Sequence, residues 1–299
     1  MDDYEAINQR TLGYVDKFID AKRSSTMKQT EINTELLPFF VKKAIGKVRD
    51  IYTCKDMILI VTTDRQSAFD RQLATVPCKG QVLNMISLWW FQQSKHIVPN
   101  HIISSPHCNI TIGKKCTVFP VEFVMRGYIT GSTSTSLWTN YNKGVRLYCG
   151  HTFPDGLVKN QKLDENKLTP TTKSDEHDEL ISAEQIVSSA LMTQEDWNTC
   201  ARYAHSLLEF GQQTALKRGL ILVDTKYEFG KDENGNIMVI DEIHTPDSSR
   251  YWLASSYASR MAAGEVTYSF VTNNQRITLF IMHIGWLIAR NRRTSTRNS

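Results

Sequence analysis

The stretch ILVDTKYEFGKDENGNIMVIDEIHTPDSSRYW, residues 221–252, limits most strongly what this chain can fold into. Two runs rich in Val, Ile, Tyr and Phe flank Asn234-Gly235, the dipeptide best suited to a two-residue type I′ turn, so the segment predicts a β-hairpin. A turn that tight sets Glu233 against Asn236, Phe229 against Ile240 and Glu228 against Asp241. Carboxylates directly across a ladder stand about 5 Å apart at Cβ and repel. A cation between them relieves the repulsion, and oxygen-only ligands at that spacing suit Mg2+. Asp224, Lys226 and Glu228 alternate with Thr225 and Tyr227, so all three point to one face and bring an ammonium beside the acids. The same pattern also fits a solvated hairpin face with ordinary surface pairs.

At 299 residues and 34.2 kDa the chain suits one large domain or two lobes, and 41% hydrophobic residues supply a core. The net charge of +4 sits in the tail: residues 271–299 hold five arginines and no acid, which leaves 35 − 5 = 30 bases against 31 acids elsewhere. A near-neutral body argues against a nucleic-acid-binding face. Cys54, Cys78, Cys108, Cys116, Cys149 and Cys200 form no CxxC pair or regular framework. With no secretory segment in view they read as reduced thiols of a cytoplasmic protein. The apolar run 277–289 is 13 residues long, too short to span a bilayer, and reads as a buried or interface helix.

Texture along the chain divides it into a polar extension at 1–36, a β-rich lobe at 37–120, an α+β lobe at 121–257 and a tail at 258–299. Strands are expected on both sides of Cys54-Lys55-Asp56 and over 116–129, and a helix over 81–95. Ser132 is expected to open a short helix to Tyr141, and residues 142–182 read as loop. Ser182 and Gln185 form a capping box, and a longer helix opens at Thr193 and closes at Lys217-Arg218-Gly219. Strands followed by mixed helices and strands make the fold class α+β, two-lobed, with a cleft between the lobes.

Three further constellations suit phosphate chemistry. Gly46, Lys47 and Arg49 lead into a strand and fit a loop over nucleotide phosphates, though one glycine and two bases occur on many strand edges. Arg126 at a strand end, with Ser132 as a helix cap, fits a second anion site or an ordinary N-cap. TPDSSR, 245–250, sets a turn at Pro246-Asp247 and delivers Arg250 close to the acidic face.

Taken in order, GKVRDIY (46–52), TDRQSAFD (63–70), VEFVMRGYITGS (121–132), TPTTKSDEHDE (169–179), DTKYEFG (224–230) and DEIHTPDSSRYW (241–252) resemble the SAICAR synthetases, in their longer, fungal-type form. The resemblance covers residues 38–257; residues 258–299 depart from the family pattern. It implies a two-lobed α+β fold distantly like ATP-grasp enzymes and kinases, with the active site in the interlobe cleft. It also implies an ATP-dependent ligase that joins L-aspartate to carboxyaminoimidazole ribonucleotide (CAIR) through an acyl phosphate, with ATP and Mg2+ as cofactors. Carried over residue by residue, it makes Asp224, Lys226 and Lys173 catalytic, and gives Gly46, Lys47, Arg49, Glu122 and Glu228 to ATP. Asp64, Arg65, Ser67, Arg126, Ser132, Asp247, Ser248, Ser249 and Arg250 go to the substrates, and Glu228 with Asp241 to the metal. The partners implied are small molecules, with neither nucleic acid nor membrane among them. A phosphotransferase using the same cleft, and an inactive paralogue acting as a scaffold, remain as alternatives.

Overall fold

The computed structural model describes residues 26–28, 42–68, 71–173 and 179–264. The apolar run 277–289, most of the extension 1–36 and the His177-Asp178 part of the polar loop lie outside the described residues. The chain divides into two compact units, whose described residues fall within 26–89 with 101–115, and 90–100 with 116–264.

In the first unit β1 (Lys42–Ile45), β2 (Arg49–Thr53), β3 (Met57–Thr62), β7 (Ile110–Lys114) and β6 (Ile102–His107) form an antiparallel sheet in the order β1-β2-β3-β7-β6. The predicted turn at Cys54 joins β2 to β3, closed by the Cys54 N–H donating to the Met57 carbonyl at 2.8 Å. β4 (Arg65–Ala68) and β5 (Arg71–Thr75) make a separate hairpin. The expected helix is α1, Lys79–Gln93, and the division between the units falls within it.

The second unit is built on a seven-stranded sheet with the 12-residue strand β14 (Leu220–Lys231) at its centre. β9 (Val121–Tyr128) lies along one edge of β14, with β12 (Lys162–Leu168) and β13 (Thr171–Thr172) beyond it. β15 (Ile237–Ile240), β16 (Ser249–Leu253) and β8 (Thr117–Val118) also pair with β14. β10 (Leu147–Tyr148) and β11 (His151–Thr152) pair with each other. The helices are α2 (Leu137–Asn142), α3 (Ala183–Ser188), α4 (Gln194–Leu216) and α5 (Ala254–Ala262).

The alternation along β14 and β9 explains this unit. Phe123, Met125, Tyr227 and Phe229 are fully buried. Phe123 stacks on Trp197 of α4 at 5.3 Å and meets Phe229 edge-on at 5.0 Å. Burying each such side chain contributes roughly 1.5–3 kcal/mol, enough to fix which face of β14 is left for polar groups. α4 opens at Thr193, whose hydroxyl accepts from the Asp196 N–H, and Gly219 beyond its end takes φ +71°. The Ser182–Gln185 capping box is also formed.

Three sequence expectations give way. The hairpin turn is not type I′. Gly235 donates to the Asp232 carbonyl and takes φ +79°, while Asp232 Oδ1 accepts from the Asn234 and Asn236 N–H groups. That is a three-residue loop ending in a left-handed glycine. It shifts the register by one, so Glu228 faces Ile240 and Phe229 faces Val239. The Asp232 side chain, able to take two backbone donors at once, selects this loop over the tighter one. Second, Ser132 does not open a helix: α2 begins at Leu137 with Ser136 as N-cap, and Ser132 is exposed in the preceding loop. Third, residues 142–182 contain β10 to β13; the polar β12 carries little strand propensity and is held by its pairing to β9.

Candidate active site

The polar face of the second unit's sheet carries a row of charges set by strand period. Asp224 of β14 is paired with Arg126 of β9 on one side and Arg250 of β16 on the other. Two residues along, Lys226 Nζ donates to Glu122 Oε1 at 2.6 Å and to Glu228 Oε1 at 3.0 Å. Lys173 donates to the other oxygen of Glu228. Sequence reading expects Glu228 to oppose Asp241. Instead the β9–β14 register, continued by one residue, sets Glu228 against Glu122, with an ammonium joining the two carboxylates. Burial alone would lower the Lys226 pKa, but the negative charges of Glu228, Glu122 and Asp241 and the hydrogen bond to Glu122 outweigh it and hold it above the ordinary lysine value. Lys226 is therefore a fixed positive charge at neutral pH. Asp241, just beyond β15, enters the site as part of that field and takes a left-handed φ of +65°.

Asp224 is the hinge of the second half of the row. Arg250 donates to its Oδ2, and Arg126 lies 4.0 Å from the same oxygen. Arg126 is buried and aimed by three neighbours: its Nε donates to Thr169 Oγ1 at 2.7 Å, and its Nη2 to the Thr135 carbonyl and the Tyr148 hydroxyl. Burial pushes the Tyr148 hydroxyl up to about 12 despite the nearby guanidinium, so it stays a neutral hydrogen-bonding group. Thr169 and Tyr148 escape sequence reading because nothing in their spacing couples them to an arginine on another strand. Gly131, at φ +102°, sits close to Arg250: a Cβ there would lie 3.6 Å from its Nη2. Loop 131–136, with Ser132, thus passes beside the arginine.

Loop 241–248 joins β15 to β16. Asp247 is exposed, the Ser248 N–H donates to the Thr245 carbonyl at 3.1 Å, and the Ser248 carbonyl accepts from the Lys226 N–H at 3.2 Å. Ser249 is buried and its hydroxyl is 2.8 Å from that of Thr225, on the face opposite Asp224 and Lys226. His244, also at positive φ (+55°), anchors the loop. Its ring lies edge-on to Trp90 at 4.6 Å, bonds the Tyr227 hydroxyl through Nε2, and is fully buried. Burial drives its pKa down to about 3, so the ring is neutral.

In the first unit Gly46, Lys47 and Arg49 form the β1–β2 turn, closed by the Gly46 N–H donating to the Arg49 carbonyl at 2.7 Å. Asp64 and Arg65 are buried beneath neighbouring backbone. Asp64 accepts from the Met27 N–H and from the Gly80 N–H near the start of α1, both at 2.9 Å. Arg65 donates to the carbonyls of Lys28, Gly46 and Lys47 and to Asp50. The Ser67 hydroxyl donates to the Arg71 carbonyl at 3.2 Å.

The donor chemistry around Glu228 and Asp241 fits Mg2+, which takes oxygen ligands and is commonly bound by one or two carboxylates with substrate phosphates. Among the described residues no three His, Cys, Asp or Glu side chains gather to hold a metal by themselves. Any such ion would take the rest of its shell from phosphate oxygens and water.

Comparisons with known proteins identify the family. The SAICAR synthetase family model matches residues 42–270, which takes in the first part of the segment read as departing from the family. The chain is 59% identical over 249 residues to the chloroplastic phosphoribosylaminoimidazole-succinocarboxamide synthase of Vigna aconitifolia, covering 82% of this chain and 73% of the relative. It is similar in structure to the SAICAR synthase of Saccharomyces cerevisiae complexed with SAICAR, with a TM-score of 0.69, 30% identity and coverage of 86% of this chain and 94% of that one. A Type-2 SAICAR synthetase in complex with ADP aligns with a TM-score of 0.61 and 26% identity over 79% of this chain and 97% of that one. With a family model spanning most of its length and a relative at this level of identity, the chain belongs to the SAICAR synthetase family.

Proposed function

We propose that the charged row of β9, β14 and β16 is the reaction centre, with Lys226 and Glu228 at the phosphoryl-transfer end and Arg126 and Arg250 at the ribotide-phosphate end. As a SAICAR synthetase the chain is an ATP-dependent ligase of purine biosynthesis that joins L-aspartate to CAIR. The observation that carries the placement is the Lys226 ammonium held between Glu122 and Glu228 on the same face as the Arg126–Asp224–Arg250 group.

A carboxylate is a poor acylating agent, so the CAIR carboxylate must first accept the γ-phosphoryl group. An O–P bond forms, the bond to the β-phosphate oxygen breaks, and ADP leaves. The aspartate amine then attacks the acyl carbon, and phosphate departs with the C–O bond pair. This chemistry needs positioning and charge complementarity more than a protein nucleophile. Lys226 and Lys173 supply positive charge toward the transferring phosphoryl group and the reacting carboxylate, and Glu122 and Glu228 hold Lys226 in place. Glu228 and Asp241 would hold Mg2+, which supplies neutralisation of phosphate charge. Asp224 keeps Arg126 and Arg250 extended on one face, ready for a dianionic 5′-phosphate, with Ser132 on the adjoining loop and Asp247 and Ser248 on the other side as further ribotide contacts. Gly46, Lys47 and Arg49 cover the ATP phosphates. The compartment we assign is the cytoplasm; among the described residues no helix is long and apolar enough to cross a membrane.

Arg250→Ala tests the division of the row. Loss of a charge-assisted bond, about 1.5–3 kcal/mol, raises the KM for CAIR roughly ten- to a hundredfold and leaves the KM for ATP within twofold. A shift in the ATP constant instead exchanges the two phosphate ends.

A further inference from the structure

Three consecutive carbonyls of the turn at Gly46 are gripped by two residues, Arg65 at the start of β4 and Thr63 just before it. Arg65 donates from Nη2 to the Gly46 carbonyl at 2.9 Å and from Nε to the Lys47 carbonyl at 3.2 Å. Thr63 completes the series: its N–H and its hydroxyl donate to the Val48 carbonyl at 2.9 and 2.8 Å. Arg65 is itself fixed, with Nη2 on Asp50 Oδ1 at 2.8 Å and Nη1 on the Lys28 carbonyl at 3.0 Å. Four of the guanidinium's five N–H donors are thus committed to protein, and the side chain is 5% exposed. That leaves little of Arg65 for a substrate.

Peptide geometry gives the grip a consequence. No cis bond is present among the described residues, and in a trans peptide the C=O of one residue and the N–H of the next point in opposite directions. Drawing the carbonyls of Gly46, Lys47 and Val48 toward Thr63 and Arg65 therefore turns the N–H groups of Lys47, Val48 and Arg49 the other way. Successive N–H groups turned to one side of a loop make an anion-binding concavity. Without the grip each peptide plane can rotate, and its donor is no longer directed.

We infer that Arg65, with Thr63, is a positioning residue that aims the backbone N–H groups of the Gly46 turn at the nucleotide phosphates, and is not a substrate ligand. This rests on the reading that the turn covers ATP. Arg65→Lys keeps the charge against Asp50 but cannot reach two carbonyls with a fixed fork. It is compared with Thr63→Val and Lys47→Ala, measuring melting temperature and the KM values for ATP, CAIR and L-aspartate. Arg65→Lys is expected to raise the KM for ATP about tenfold while those for CAIR and L-aspartate stay within twofold, and Thr63→Val to act in the same direction more weakly. Trypsin cleavage after Lys47, slowed by ATP in the parent enzyme, should lose that protection in Arg65→Lys. If Arg65→Lys raises the KM for CAIR instead, or lowers the melting temperature with all three KM values unchanged, the inference is overturned. If Lys47→Ala leaves the ATP constant unchanged and ATP gives the parent enzyme no protection, the reading of the turn fails and takes the inference with it.

Discussion

Lys226 has two jobs that pull the same way. It neutralises Glu122 and Glu228 in the folded protein and, in the proposed reaction, presents a fixed positive charge to substrate. Replacing it with methionine leaves two carboxylates facing one another, which costs roughly 2–4 kcal/mol in stability. The variant should lose at least about a hundredfold in kcat, and a melting curve together with initial rates checks both. The pH sign follows from the raised pKa. The contribution of Lys226 is fully present below its unfolded value, about 10.4, and is lost only as pH climbs toward the higher folded value. The stability gap between parent and Lys226→Met should therefore be flat from neutral pH to about 10 and shrink above it. His244 has the opposite sign. Its folded pKa of about 3 lies below the ordinary 6.5, so the unfolded chain takes up a proton that the native state refuses as pH falls. Between pH 7 and 5 the parent should lose about 2 kcal/mol more in urea unfolding than His244→Gln; equal losses would show that the ring titrates normally.

At the scale of elements, β14 binds the site together because its two faces do different work. One packs Tyr227 and Phe229 into the core, the other sets out Asp224, Lys226 and Glu228. That division was legible in the sequence, since a strand's period of two needs no partner to be read. The register was not. Asn234-Gly235 predicts the tighter turn, and only the hydrogen bonds of the Asp232 side chain reveal the longer loop that sets Glu228 opposite Ile240 and not directly opposite Asp241. The partners of Arg65, expected at the substrates, were hidden for a related reason: apart from Asp50 they are backbone carbonyls, which leave no residue pattern to find. Helix α4 shows the same dependence on tertiary context. Gly211 lies in its interior, where alanine would ordinarily stabilise by about 1 kcal/mol. Here a Cβ would come within 2.5 Å of His244 Cε1 and 2.7 Å of Leu222 Cδ2. Gly211→Ala should therefore destabilise by roughly 1–3 kcal/mol and lower kcat by displacing loop 241–248; a rise in melting temperature with full activity would contradict the lock.

For the molecule as a whole, the sequence blocks that suggest the family fall in both compact units, the Gly46 turn in one and the charged row in the other. The proposed reaction calls for no nucleophilic serine or cysteine. Buried Cys200 and half-buried Cys149 are pushed up in pKa by desolvation, Cys149 to about 11, and are poor thiolates. Family membership makes the chain a ligase, whose chemistry is the alignment of an acyl phosphate and an amine. The most direct test supplies ATP, Mg2+ and CAIR with and without L-aspartate, and follows ADP and SAICAR together. The expected result is sustained ADP release only when L-aspartate is present, in one-to-one ratio with SAICAR. ADP release at the same rate without L-aspartate, with no SAICAR formed, would contradict it.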